Sequence, residues 1–462
     1  AEMWKMPAMY VGPYAQVDAE LTLKLWNYLS AQLTQEQLWP IANLELKLLP
    51  CLVDMTWRGV RVDQDRVERT RNHLIKEEKA TLAKIKHVAG QDVELWAAAS
   101  IAKAFDKLSI PYPRTEKNAP SFTKSFLADH PHELAQLIVR ARNLNKTSGT
   151  FINTIMKHCH ADGRIHGHIN QIRSDDGGTV SGRISMSNPN LQQIPARDPE
   201  LGPMIRSLFL PEEGEQWAAI DFSQQEPRIL VHYAYVYGRS RGAQMAGVEE
   251  FVTAYREDPD MDFHTMVAEM ANIPRKQAKT INLGMMYGMG VNKLSDQLDI
   301  DVDEAKGLVS QYHDRVPFVK GLMNGVMNSL NSRGSSGSVR SILGRKCRFD
   351  LWEPATFAMH KALPYQDALK EYGETTRLKR AYTYKALNRL IQASAADMTK
   401  QAMVNIYEQG RLPLVQIHDE IAMSVKNRED ANTIAEIMEN AVPLEIPSKC
   451  DVEIGPSWGE AS

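Results

Sequence analysis

Apolar residues recur at three- and four-residue spacing through positions 17–57, at Leu21, Leu25, Tyr28, Leu29 and Leu33 and again at Leu44, Leu48, Leu52 and Met55. That period predicts helices that pack one face against a core. From Asp63 to Lys86 the chain is strongly charged with helical spacing, and the stretch from Pro111 to Lys124 breaks the period. Together they predict a long helical projection with an irregular tip. After Gly163 the pattern changes to short strand-like pieces among Gly, Ser, Asn and Pro, in GRIHGHINQI and DDGGTVSGRISMSNPNLQQIP, which predicts a loop-rich surface. WAAIDFS (217–223) reads as a short apolar strand ending on an acid, and LPLVQI and IAMSV flank HDE (418–420) as two strands about a tight turn. Residues 240 to 400 read as mostly helical, interrupted by a loop at NSRGSSGS (331–338).

Composition adds limits. A chain of 462 residues is too long for one simple core, so two to four packed subdomains are expected. Hydrophobic residues at 43% and charged residues at 24% favour neither a disordered nor a membrane class, and no apolar run approaches the roughly 20 residues that span a bilayer. The start, AEMWKMPAMYVGPYAQ, lacks a basic stretch followed by a long apolar core, so a cytoplasmic setting without membrane association is expected. Cys51, Cys159, Cys347 and Cys450 are scattered and form no CxxC pair, which argues for reduced thiols. A net charge of -3 gives no basic footprint, so any nucleic-acid site must be a local basic surface.

Candidate chemistry concentrates in three places. In NIPRKQAKTINLGMMYGMG (272–290), Pro274 suits a first helical turn that Asn272 could cap. Arg275, Lys279, Leu283 and Tyr287 follow every four residues, which puts two cations, an apolar side chain and a ring on one helical face. Such a face could hold a triphosphate and stack a base; an amphipathic helix with a solvated basic end has the same pattern. Asp221 and Asp419, each at a strand end, could supply the converging carboxylates that two-metal phosphoryl transfer needs, although an acid there is also a common turn former.

DFSQQEPR (221–228), RKQAKTINLGMMYG (275–288) and VQIHDE (415–420), in this order, resemble motifs A, B and C of the family-A DNA polymerases, and SGRISMSNPNLQQIP (181–195) resembles that family's segment between thumb and palm. The resemblance implies an α+β right hand with an antiparallel palm sheet, helical fingers and a helical thumb. It implies a remnant of a 3′–5′ exonuclease-like domain at 1–45, thumb and connection at 46–180, palm at 181–240 and 393–462, and fingers at 241–392. The implied function is primer extension on template DNA with dNTPs, in DNA replication, by a monomer using two Mg2+ ions for which Mn2+ may substitute.

By the same resemblance, Asp221, Asp419 and the carbonyl of Phe222 would hold the metals. Arg275, Lys279 and His264 would contact the triphosphate, with Lys279 also donating a proton to pyrophosphate. Tyr287 would close the nascent base-pair site, Glu226 would crowd the sugar 2′ position, and Gln224 and Leu283 would complete the nucleotide site. Arg183, Asn190, Gln192, Arg228, Asn388, Gln392 and His418 would line the primer–template junction, and Arg142 and Lys146 would grip the DNA backbone.

Leu283 departs from the family's usual Phe or Tyr, which keeps an apolar wall but removes a flat ring, so dideoxynucleotides are expected to stay disfavoured. Pro227 replaces the commoner Leu and removes a backbone donor. Tyr14-Ala-Gln-Val-Asp18 resembles the third motif of the family's proofreading exonuclease, but its partner carboxylates are not among these residues, so no proofreading is expected. The cluster His158, Cys159, His160, His166 and His168 matches no common zinc spacing. The rival readings are a single-subunit RNA polymerase, against which Glu226 argues, and a catalytically inactive DNA-binding relative.

Overall fold

The computed structural model describes residues 3–172, 179–195, 198–240, 245–332, 334–356 and 358–461. A four-stranded sheet sits at the centre, in the order Val415–Ile417, Glu420–Val425, Gln216–Phe222, Cys450–Gly455, antiparallel throughout. Side chains alternate across it. Ala218, Ile220 and Phe222 face a large core shared with the helix Ala386–Glu408, while Trp217 faces a second core with Phe209 and Trp458. The sheet therefore rests on apolar packing from both sides.

The helical projection starts where Asp63 accepts from the Arg66 N–H at 2.8 Å, and its first helix, Gln64–Ala89, ends at Gly90 in the left-handed region. It pairs with Glu133–Lys146, and a separate apolar cluster containing Ile85, Phe105, Leu134 and Ile138 holds its far end together. No helix among the described residues is long and apolar enough to cross a membrane.

Two expectations are corrected. The apolar period over 17–57 belongs to two helices of different fate. Trp39–Arg58 buries Leu44, Leu48, Leu52 and Met55, whereas Ala8–Gln35 buries nothing and leaves Leu21, Leu25 and Leu29 exposed. Periodicity specifies an amphipathic face but not what covers it. Beyond Asn331 the expected helical run gives way to a hairpin, Ser338–Arg340 with Lys346–Arg348, and to a small sheet ordered Leu363–Pro364, Leu351–Pro354, Leu378–Arg380. Pro354 and Pro364 there forbid a continuous helix.

One buried ionic cluster ties these parts together. Glu45 accepts from Arg345 at 2.5 Å and Lys400 at 2.7 Å, and Arg345 also reaches Asp397 at 2.6 Å. Burial pushes the Glu45 carboxyl up, but the Lys400 and Arg345 charges outweigh it and hold it below its usual range. The cluster joins the helix Trp39–Arg58, the 338–348 hairpin and the helix Ala386–Glu408.

Candidate active site

Strand register gathers the acids. Asp221 stands opposite Glu420 on one side and Asp451 on the other, so the three carboxylates share one face of the sheet. Asp419 occupies the turn before Glu420, where its carbonyl accepts from the Phe222 N–H at 3.3 Å. That turn is tight because His418 takes a left-handed φ of 59°. Gln416 donates to the His418 carbonyl at 2.6 Å, and Gln192 donates to the Gln416 carbonyl at 3.0 Å, which fixes the turn from below.

Burial, with like charges beside it, perturbs Asp221, Asp419 and Glu420. Burial, then Asp419, Glu420 and Asp451, push the Asp221 carboxyl up to about 8. Burial raises Asp419 and Glu420 as well, against the nearby charges of Arg183 and His418 on the first and Arg206 on the second. Closely placed hard oxygen donors that resist joint ionisation fit divalent magnesium, which would supply the missing positive charge.

The helix Arg275–Met286 presents the second part. Its inner side buries Ala278, Ile281, Asn282, Met285 and Met286, leaving Arg275 and Lys279 exposed and Leu283 half-buried. Tyr287 lies one residue past the helix, 38% exposed. Asn272 does not cap this helix. It closes the preceding one, Phe263–Ala271, in a left-handed conformation, and Pro274 takes the N-cap position. Arg275 pairs with Asp262, which itself caps Phe263–Ala271 through the His264 and Thr265 N–H groups at 2.8 and 3.0 Å. Lys279 carries no hydrogen bond or ion pair with the described residues, which leaves its ammonium available. His264 is buried with Nδ1 2.9 Å from Asn282 Nδ2; burial pushes its pKa down to about 4, so the imidazole is neutral at pH 7.

Glu226 links the two parts. It accepts from Arg183 at 2.5 Å and from the Tyr287 hydroxyl at 2.7 Å. Burial and the Glu226 charge together raise the Tyr287 hydroxyl above its ordinary range, so it remains a donor. Asn388 and Gln392 lie half-buried and four residues apart on the helix Ala386–Glu408, hence on one face.

Other expected site residues are placed elsewhere or differently engaged. Arg228 is 2% exposed, with its guanidinium bonded to the carbonyls of Ser223, Pro447 and Pro259 and lying over Tyr255, so it braces the strand-to-helix turn. The Gln224 amide joins the Met261 carbonyl and the Phe263 N–H, which ties the two segments. Arg142 donates to the carbonyls of Leu95 and Phe122 and pins those segments to the helix Glu133–Lys146. Gln192 is spent inside the fold, and Asn190 accepts from its N–H at 3.0 Å. Lys146 is exposed and lines a cavity of about 360 Å³ with Asn143, Gln193 and Asp198.

Sequence reasoning missed the rest of the acidic cluster. Glu420 was visible in the HDE triplet but had no reason to differ from a strand-end acid. Asp451 had no local signal, since only the pairing of distant strands brings it beside Asp221. Arg206, packed over the Trp458 ring at 4.6 Å and opposing the Glu420 charge, was equally unreadable.

A family model described as DNA polymerase family A matches residues 64–460. A DNA-directed DNA polymerase of Pseudomonas phage M6 is 36% identical, over all of this chain and 72% of that protein. The thermostable DNA polymerase I of Thermus filiformis is 30% identical over 98% of this chain, which spans about half (52%) of that relative's length. Among solved structures, the POL domain of Pol1 from M. smegmatis, in complex with DNA primer-template and dNTP, superposes with a TM-score of 0.75 at 27% identity, covering 95% of this chain and 74% of that one.

Proposed function

The chain belongs to DNA polymerase family A, the DNA-directed DNA polymerases, and from that premise we propose that it extends a primer 3′ end with dNTPs by two-metal-ion phosphoryl transfer. The observation that carries the reading is the crowded pair Asp221 and Asp419 beside the Glu226–Tyr287 bridge, with the free Lys279 two helical turns away. Magnesium, when bound, supplies the charge that activates the primer hydroxyl and stabilises the leaving pyrophosphate. Asp221, Asp419 and the Phe222 carbonyl hold it. Lys279 and Arg275 bind the triphosphate about 12 and about 18 Å along the helix from Tyr287, with Lys279 donating a proton as pyrophosphate leaves, and neutral His264 offers its Nε2–H to a phosphate oxygen.

Glu226 selects the sugar. Fixed by Arg183 and Tyr287, its carboxylate stands as a rigid, desolvated obstacle to a 2′ hydroxyl. Leu283 gives the sugar an apolar wall without a flat ring, so dideoxynucleotides remain disfavoured. His418, Asn388 and Gln392 line the junction, Lys146 meets the backbone of the duplex, and the protein acts as a monomer. Extension by these residues alone proceeds without proofreading in this reading, since Asp18 and Glu20 stand on an exposed helix that buries nothing.

The experiment is primer extension by the purified chain with magnesium, run with dNTPs, with dideoxynucleotides and with ribonucleotides. Extension by dNTPs that Asp419→Ala abolishes while primer–template binding persists is the expected result. Binding without extension, or primer-free synthesis from ribonucleotides, would overturn the reading.

A further inference from the structure

Gly182 precedes the arginine that holds Glu226. Its φ is 83°, in the left-handed region, and a Cβ there would lie 2.8 Å from Nε, 3.0 Å from Cδ and 3.1 Å from Cζ of Arg345. The backbone at 182 is therefore pressed against the arginine, with no space for a side chain between them. The next residue is tied as well, because the Thr179 hydroxyl donates to the Arg183 carbonyl at 2.8 Å, and Ile184 then enters the main core.

The Arg345 side chain is itself held in one plane. Nη2 donates to Glu45 at 2.5 Å and Nε to Asp397 Oδ1 at 2.6 Å, while the side chain is 13% exposed. The Arg345 backbone N–H donates to the Ser341 hydroxyl at 2.8 Å, and that hydroxyl donates to the other Asp397 oxygen. Two carboxylates thus fix the orientation of a fork that lysine could not copy, since an ammonium is a point charge on a flexible stem. Lys400 joins the same cluster differently, through Glu45 and the Gln171 carbonyl at 2.7 and 2.9 Å, whereas the atoms nearest a Cβ at Gly182 all belong to Arg345. Besides tying helices to the 338–348 hairpin, the cluster thereby reaches the cleft. The path runs from Glu45 and Asp397 through the Arg345 fork to the 182–183 backbone, and through the Arg183 guanidinium to Glu226 at 2.5 Å.

We infer that Arg345 is a positioning residue for sugar selection: its fork sets the backbone from which Arg183 extends, and so sets the Glu226 carboxylate against a 2′ hydroxyl. The inference rests on the reading of Glu226 as the selecting group given above. Arg183 shares that carboxylate with the Tyr287 hydroxyl, so a shift at 182–183 leaves Glu226 with one fixed donor and free to turn from the sugar. A group that acts by its position loses effect when displaced by about an ångström.

The test measures ribonucleotide against dNTP insertion in competition by the full chain, with a urea midpoint recorded for each variant. Arg345→Lys keeps the charge and loses the fork. Gly182→Ala leaves every ion pair in place and drives a methyl group into the same guanidinium, so it carries the comparison should Arg345→Lys not fold. Each should raise relative ribonucleotide insertion about three- to ten-fold while dNTP insertion persists. Added to Glu226→Ala, Arg345→Lys should bring no further loss of discrimination, because it acts through that carboxylate. Lys400→Met, which loosens the same cluster away from Gly182, should lower the urea midpoint and leave discrimination unchanged. Unchanged discrimination in Arg345→Lys or Gly182→Ala, a loss that adds to that of Glu226→Ala, or an equal loss in Lys400→Met would each overturn the inference while leaving Glu226 in its role. Full discrimination in Glu226→Ala would instead sink the underlying reading, and this one with it.

Discussion

Asp221→Asn separates what the acidic cluster does for chemistry from what it costs the fold. In the metal-free protein the Asp221 carboxyl titrates at about 8, against 3.8 in an unfolded chain. The folded state therefore holds a proton that the unfolded chain releases, so stability is full below the unfolded value and falls as pH rises through the folded one. At pH 7 the gap spans about three pH units, and at about 1.4 kcal/mol per unit the group costs about 4 kcal/mol. Near pH 5 only about one unit is open, a cost of about 1 to 2 kcal/mol. Asparagine keeps the shape and cannot ionise. The variant should thus be more stable than wild type by about 3 to 4 kcal/mol at neutral pH, with a margin that narrows towards acid. Urea unfolding followed by circular dichroism, with a chelator present, at about pH 5, 7 and 9 reads this directly. Magnesium at neutral pH should raise the wild-type midpoint but not the variant's, and the variant should not extend primers. Equal stability at neutral pH, or a margin that does not grow with pH, would mean that burial and the neighbouring carboxylates do not hold Asp221 protonated in the metal-free fold.

Three further outcomes follow from named contacts. Lys279→Ala removes the unpaired ammonium and should slow single-turnover nucleotide addition by about 10²- to 10³-fold with primer–template affinity unchanged; an unchanged rate would remove Lys279 from the chemistry. Glu226→Ala frees Arg183 and Tyr287 and should raise ribonucleotide insertion relative to dNTP at least about ten-fold in competition assays, whereas unchanged discrimination would relieve Glu226 of the selecting role. Lys400→Met leaves the Glu45 carboxylate with Arg345 as its remaining cation and should cost about 1 to 3 kcal/mol in urea unfolding, part of it recovered in the double variant with Glu45→Leu; a harmless single substitution would contradict the burial of that pair.

Much of the site was legible because its chemistry is local. Arg275, Lys279, Leu283 and Tyr287 share a helical face by their spacing alone, and that face is the exposed side of the helix because the intervening Ala278, Ile281 and Met285 are apolar and buried. The palm strands were legible for a similar reason, as short apolar runs with turn residues between them. Arg228 and Gln224 were not, because the same side chains serve equally well as DNA contacts or as internal braces. Only the approach of the Pro259, Met261, Phe263 and Pro447 backbone decides between the two.

The sequence by itself determined which stretches would be helix or strand near the site, which carboxylates and cations were available, and, through the order of its motifs, the family. Tertiary structure decided which acids meet, since Asp221 and Asp451 are 230 positions apart and become neighbours only through the pairing of two strands. It also decided what covers each apolar face, burying Trp39–Arg58 while leaving Ala8–Gln35 exposed at the same periodicity. The physical reason is common to both: local spacing sets the direction in which a side chain points, but burial, charge repulsion and hydrogen-bond partners depend on what the rest of the chain brings to that point.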